Sequence, residues 1–316
     1  MAVTGVTATT SIAGQKGAYP QNSGFDDYFL WQVEPVNPDP RYKDPVIYTR
    51  DGSKSFQGEY GPDLFAAFAK KFIEKNRDTS FFLYYPMVLT HDPFQATPDS
   101  QDFSASKAKD KSSPAYFGSM VAYMDKKVGE IIKTVQEQGI SRKTLIIFAG
   151  DNGTSPSIIS VLDGKEVKGG KGRTTVYGTH VPLIAYWEGV VKPGQVNHNL
   201  IDFTDILPTF LETAGKEKPA DFHTDGTSFY GQLLNKKNAA KRDWVFCAYD
   251  PKWGSFKPAT WIQDKQWKLY QTGEFYDLQQ DPEEKYAIQT TNLTPREMAG
   301  KEKLKQQLLN ILQPGR

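Results

Sequence analysis

The sequence predicts an α/β protein: a sandwich with a mostly parallel sheet between helices, followed by a small antiparallel sheet with a helix. Three observations predict it. Apolar residues recur at helical spacing in two long segments, and a short apolar run that reads as a strand follows each. Helix and strand therefore alternate, which is the pattern of a sheet whose strands are joined by helical crossovers. After about Arg242 the texture changes to short aromatic runs separated by turn residues, which suits antiparallel pairing.

Taken in order, the stretch to about Asp51 is rich in Gly, Pro, Asn and Tyr and reads as loops with one short strand within residues 3–12. From 61 to 76, Leu64, Phe65, Phe68, Phe72 and Ile73 recur at helical spacing, and Phe81-Phe-Leu-Tyr-Tyr follows as a buried strand. From 116 to 139, Met120, Met124, Val128, Ile131, Ile132 and Val135 share the face of a second helix. Thr144-Leu-Ile-Ile-Phe-Ala-Gly then makes a strand too apolar to be half exposed. The polar segment 95–114 between these units is too long for a connector and is expected to wall a site. A third strand over 181–187 precedes a helix over 201–215 with Asp202 or Thr204 near its start. Short strands are expected at 244–249, 260–262, 267–270 and 275–278, with a last helix packing Leu304, Leu308, Leu309 and Leu312 against them. The expected division is an α/β domain over 1–242 and a small α+β domain over 243–316.

Charge and cysteine content narrow the function. The 316 residues carry 38 Lys+Arg against 37 Asp+Glu, a net charge of +1, so neither nucleic acid nor an anionic membrane is the expected main partner. Any anion chemistry must be local. The one cysteine, Cys247, permits neither an intrachain disulfide nor a multi-cysteine zinc site. The first residues lack the basic and apolar regions of a signal peptide, and no apolar run is long enough to span a bilayer.

Chemistry concentrates at strand ends. The apolar run 145–149 leads into Gly150-Asp151-Asn152-Gly153, which puts a carboxylate and an amide at the carboxyl edge of a strand, where ligands bind in open α/β sheets. Asp151 and Asn152 are hard oxygen donors suited to Ca²⁺ or Mg²⁺; an Asx turn that ends the strand is the alternative. Gly169-Gly170-Lys171-Gly172-Arg173-Thr174-Thr175 follows, and it places Lys171 among glycines where its ammonium can meet a sulfate or phosphate. The spacing is not that of a Walker A loop, and a solvated loop lysine is the other reading. His91, in Thr90-His91-Asp92-Pro93 beyond the expected strand 81–85, could bond an anionic oxygen or protonate a leaving group, or simply bond a neighbouring carbonyl. His180 precedes the third strand and carries the same two readings, whereas His198 and His223 fall in polar turns.

These residues carry a resemblance. Phe81-Phe-Leu-Tyr-Tyr-Pro with Thr90-His-Asp-Pro, Ser119-Met with Asp125 and Val128-Gly129, Thr144 to Gly153, Gly170-Lys-Gly-Arg-Thr-Thr with His180-Val-Pro, Asp205-Ile-Leu-Pro-Thr, Asp225-Gly-Thr-Ser, and Trp267-Lys-Leu with Phe275-Tyr-Asp-Leu-Gln-Gln-Asp-Pro-Glu-Glu resemble the successive signatures of the arylsulfatase family, in order. The resemblance covers about residues 14–284 and matches the central and C-terminal part of the family pattern. It implies an alkaline-phosphatase-like sandwich with a small C-terminal antiparallel domain, and hydrolysis of a sulfate monoester carried by a small molecule or a carbohydrate. It also implies that Asp151 and Asn152 are two ligands of a divalent cation, usually Ca²⁺, that Lys171 contacts the sulfate oxygens, and that His91 bonds the ester oxygen. His180 stands where the family commonly has an arginine.

Other parts of the family pattern do not match. The family nucleophile is a formylglycine made within Cys/Ser-x-Pro/Ala-x-Arg, and this sequence contains no such motif. Cys247 precedes Ala-Tyr-Asp-Pro, Ser11-Ile-Ala-Gly-Gln15 has Gln in place of Arg, and Ser106-Lys-Ala-Lys-Asp110 has Asp there. The family's N-terminal strand with its paired metal-binding aspartates is expected to be absent, so any Ca²⁺ site is expected to be weak or missing. The segment around Gly14, Gln15 and Lys16 is a degraded counterpart of the family's second sulfate-contacting lysine and its histidine. Two readings of different class follow: the C-terminal part of a sulfatase, without turnover in the form given, or a non-catalytic anion- or sugar-binding remnant. A phosphodiesterase or phosphonate hydrolase of the same superfamily is a third, since fold alone does not choose the ester. Trp253, Trp261 and Tyr249 are expected to pack the small sheet, with stacking on a sugar or aryl ring as the alternative.

Overall fold

The computed structural model describes residues 2–6, 20–31, 40–107, 110–252 and 254–313, the first of these as backbone. Two compact units divide the chain, Met1–Thr144 and Leu145–Arg316. The boundary expected at 242/243 lies inside the second.

In the first unit, β1 (Ala2–Val6), β2 (Asp27–Trp31), β3 (Val46–Thr49), β4 (Gly52–Ser55) and β5 (Leu83–Tyr84) form one sheet in the order β4-β3-β2-β1-β5. β1 is parallel to both neighbours, with Val3 opposite Tyr28 on one side and Tyr84 on the other. The β2–β3 and β3–β4 pairs are antiparallel. The one strand expected in the opening stretch is β1, with positions 7–12 outside the described residues; β2 and β3 are additional. Each is four or five residues long between turn residues, too short for its alternation to stand out. The strand expected over 81–85 shrinks to the two residues of β5, and Tyr84 is exposed because β5 pairs only with β1.

The two expected helices form. α1 (Gly61–Asn76) has Pro62 in its first turn, where a missing N–H costs nothing, and buries Phe65, Ala66, Ala69, Phe72 and Ile73. α2 (Phe117–Glu137) packs on α1, and its buried stripe is Met120, Tyr123, Lys127, Thr134 and Val135. Polar residues enter that stripe because Asp63 of α1 answers them: its carboxylate lies 2.7 Å from both Tyr123 Oη and Lys127 Nζ. Segment 95–114 is largely irregular, with one short 3₁₀ turn at Phe103–Ala105 and a second starting at Pro114.

In the second unit, β6 (Ile146–Ala149) is followed by a hairpin, β7 (Ile159–Leu162) with β8 (Lys165–Lys168), then by the one-turn helix α3 (Val176–Thr179) and by β9 (Leu183–Tyr186). β9 runs antiparallel to β6, with Phe148 opposite Ile184. Parallel pairing among the described residues is thus confined to β1 and its neighbours. The β6–β9 connection holds a hairpin and a single helical turn in place of the long crossover helix that a parallel return needs. With that one hydrogen-bonded partner, β6 is half buried and not fully buried as its composition suggests.

Asp202 caps a 3₁₀ turn, Phe203–Asp205, that leads into α4 (Ile206–Thr213), and α5 (Tyr230–Leu233) follows. β10 (Val245–Tyr249), β11 (Ala259–Gln263), β12 (Trp267–Tyr270) and β13 (Phe275–Asp277) make the expected antiparallel sheet, paired in sequence order. α6 (Pro295–Leu312) starts in a capping box in which Thr294 and Glu297 exchange bonds. Its Leu304 and Leu308 join Ile262, Trp267, Leu269 and Phe275 in one apolar core. Leu309 and Leu312 do not join it; they are 51% and 40% exposed, because the contact with the sheet is a narrow i, i+4 stripe.

Candidate functional site

Within the second unit, three backbone hydrogen bonds bring the strand end of β6 together with the segments carrying Lys171 and His180. Gly150 N donates to Pro182 O at 3.0 Å, Gly153 N to Gly178 O at 3.0 Å and Lys171 N to Thr154 O at 2.9 Å. Two glycines make this approach possible. A Cβ on Gly153 would stand 2.0 Å from Tyr177 O, and one on Gly178 would stand 2.1 Å from Arg173 O. Any side chain there would push the chains apart. Inside the loop, Arg173 N donates to Gly170 O at 2.8 Å and closes the turn around Lys171.

Asp151 is exposed at the end of β6, and Asn152 and Lys171 are half buried. His180 is exposed where α3 ends; its N–H closes that turn onto Val176 O at 2.9 Å. The segments carrying Asp151, Asn152, Lys171 and His180 are therefore joined by hydrogen-bonded backbone. Asp151 and Asn152 supply two oxygen donors, where Ca²⁺ takes ~6–8. Among the described residues no three His, Cys, Asp or Glu side chains converge on a point that could hold a metal. The donors present do not by themselves fit the ion.

His91 lies in the first unit, in an exposed turn. Its Nδ1 is 2.8 Å from the Asp92 carbonyl, 3.1 Å from Asp92 Oδ1 and 3.1 Å from Arg41 Nη1. Arg41 also stacks over the Trp31 ring at 4.1 Å. The buried Tyr42 hydroxyl holds the turn from below, donating to Val88 O at 2.8 Å and to His91 O. Burial pushes the Tyr42 phenol well above its ordinary pKa.

Sequence reasoning missed the support beneath the Lys171 loop. Lys268 of β12, almost fully buried, donates to Thr174 O at 2.5 Å and pairs with Glu284 at 2.8 Å. Tyr249 donates to Gly172 O at 2.9 Å. The Trp-Lys-Leu and Asp-Pro-Glu-Glu motifs stand out in the sequence, yet nothing there connects them to a loop 94 residues earlier. Asp205 and Asp225-Gly-Thr-Ser also find a structural use. Asp205 is buried, accepts from Thr227 N at 2.6 Å and pairs with Arg242, which in turn reaches Asp225 O at 3.0 Å.

Trp261, 2% exposed, packs inside the small sheet, and the bonded Tyr249 hydroxyl is committed to the loop. Cys247 is half buried in β10, and burial raises its thiol pKa. Ser106 donates to Phe103 O at 2.7 Å as a loop residue. Ser11, Gln15, Lys16 and Trp253 lie outside the described residues.

The sulfatase family model matches residues 5–216, and the model of the C-terminal region of N-sulphoglucosamine sulphohydrolase matches 175–313. N-acetylgalactosamine-6-sulfatase of Mus musculus is 30% identical over 206 residues, 62% of this chain and 37% of that protein. Arylsulfatase A of Homo sapiens is 30% identical over 175 residues, 54% of this chain and 32% of that protein. The chain thus spans less than two fifths of these relatives. Among solved structures, Ps i-CgsB in complex with k-i-k-neocarrahexaose superposes with a TM-score of 0.71 at 20% identity, covering 99% of this chain and 72% of that one. BT4656 in complex with its substrate D-glucosamine-2-N,6-O-disulfate superposes with a TM-score of 0.68 at 16% identity, covering 98% and 78%.

Proposed function

The chain belongs to the sulfatase family, and on that premise we propose that it carries the anion-holding part of a sulfuric ester hydrolase of alkaline-phosphatase-like fold, acting on a sulfated carbohydrate or small molecule. The observation that carries the reading is the backbone junction joining Lys171 N to Thr154 O and Gly153 N to Gly178 O, which sets a lysine loop beside the Asp151-Asn152 strand end. The non-bridging oxygens of a sulfate ester already carry negative charge, which a positioned ammonium neutralises for attack at sulfur, and the charge that develops as the S–O bond breaks falls on the ester oxygen.

In this reading Lys171 contacts the sulfate oxygens and His180 adds a further imidazole; the family resemblance assigns to His91, in the first unit, a hydrogen bond to the ester oxygen as it leaves. Asp151 and Asn152 are the chain's contribution to a divalent-cation shell. Such a cation would supply electrophilic charge. The sugar ligands of Ps i-CgsB and BT4656 support a carbohydrate ester as the substrate class. Hydrolysis needs a nucleophile, and these 316 residues carry no Cys/Ser-x-Pro/Ala-x-Arg motif. A protein of these 316 residues therefore binds sulfate without turning over an ester.

Titration with inorganic sulfate tests this. Binding should weaken about tenfold or more in Lys171→Ala, the loss of one charge-assisted contact. Equal binding by both proteins would sink the assignment. Turnover of a chromogenic aryl sulfate that disappears in the same variant would overturn the claim of binding without hydrolysis.

A further inference from the structure

We propose that Lys268 and Glu284 are positioning residues: their buried ion pair in the small antiparallel sheet grips Thr174 and so holds the backbone that presents Lys171. The Lys268 ammonium reaches Thr174 O at 2.5 Å and Glu284 Oε1 at 2.8 Å. The two charged side chains are only 1% and 5% exposed. The Tyr270 hydroxyl bridges the same two residues, 2.7 Å from Thr174 Oγ1 and 2.5 Å from Glu284 Oε2. Thr174 is thereby held at its carbonyl and at its hydroxyl by one connected polar group. The rings of Trp261 and Tyr270 stand 4.4 Å and 4.7 Å from the ammonium and complete its enclosure.

The arrangement is a poor device for stability and a good one for placement. Two charges removed from water recover little net free energy when they meet, and an apolar pair of the same volume often serves as well. What an apolar pair lacks is a donor for a loop carbonyl. Two residues separate Thr174 from Lys171, and the intervening turn is closed by the Arg173 N to Gly170 O bond. A shift at Thr174 is therefore passed to Lys171 through a single tight turn. The structural claim stands independently of the sulfate reading; only its purpose rests on the assignment of Lys171.

Amide hydrogen exchange on the full chain tests it. In the charge-neutral double variant K268M/E284Q, the Lys171 and Arg173 amides should exchange about tenfold faster or more, while the β6 and β9 amides keep their protection, as expected of a local opening. Equal acceleration in both regions, or none at the loop, would overturn the proposal. If the double variant fails to fold, K268Q/E284Q decides by the same comparison, since it leaves polar groups in the pocket but removes the long ammonium donor that reaches Thr174 O: acceleration confined to the loop supports the proposal and no acceleration overturns it. A loosened loop whose sulfate affinity equals that of the parent protein would uphold the positioning role and count against the reading of Lys171.

Discussion

At the scale of the residue, Asp151 and Asn152 show how far a local pattern reaches. Their place at the end of an apolar strand is legible because strand, turn and polar pair follow one another in the chain. What they can hold is a question about the other ligands, which a sequence does not place. With two oxygen donors and no three-residue cluster among the described residues, Ca²⁺ should bind this chain more weakly than about 1 mM, the range of the weakest protein sites. Isothermal titration with CaCl₂ checks this; a submillimolar affinity lost in Asp151→Asn would show that further donors complete the shell. His91 makes the same point. Its proximity to Asp92 is adjacency, but the Arg41 guanidinium at 3.1 Å comes from 50 residues earlier and has no local signal.

At the scale of the element, polar groups decide how the helices and turns are anchored. The helix starting after Asp202 was legible, with Asp202 one of two candidate starting residues beside Thr204, because N-caps are read from short-range chemistry. The partner of Asp205 was not. Its carboxylate, 1% exposed, is matched by Arg242, 6% exposed and 37 residues away. Removing only the cation strands a buried carboxylate, so Arg242→Met should cost about 3–5 kcal/mol of unfolding free energy. The denaturant midpoint should fall with an unchanged slope; a loss under about 1 kcal/mol would mean that water replaces the guanidinium. The stripe of α2 carries the same lesson in reverse. A hydrophobic reading passes over Lys127 and Tyr123, which are buried because Asp63 of α1 receives both.

At the scale of the whole molecule, the aromatic richness of the chain has a consequence for its pH range. Tyr42 and Tyr60, 2% and 4% exposed, have phenol pKa values raised above the ordinary 10.0 chiefly by burial. The folded state therefore keeps protons that the unfolded state releases. Their contribution to stability is complete below pH 10 and is lost as the pH rises beyond it, by up to ~1.4 kcal/mol per pH unit for each phenol. Exposed phenols such as Tyr84 and Tyr286 titrate first, and the tyrosinate absorbance of Tyr42 and Tyr60, read as the difference from Y42F and Y60F variants, should appear only together with loss of secondary structure above pH 10. Titration of both phenols with the fold intact would contradict their burial.

What the sequence by itself determined lies within single elements or across one turn: α1, α2, the four aromatic strands, the helix after Asp202, the strand-end Asp151-Asn152 pair and the succession of sulfatase signatures. Periodicity, capping and turn chemistry act over a few residues, so they can be read in a line of text. Only the tertiary structure decided that β9 returns antiparallel to β6, that Leu309 and Leu312 stay outside the small core, and that Lys268, Glu284 and Tyr270 reach Thr174. Those outcomes depend on which surfaces meet across tens of residues, where a buried charge survives only beside its partner, and that pairing is a property of the folded chain.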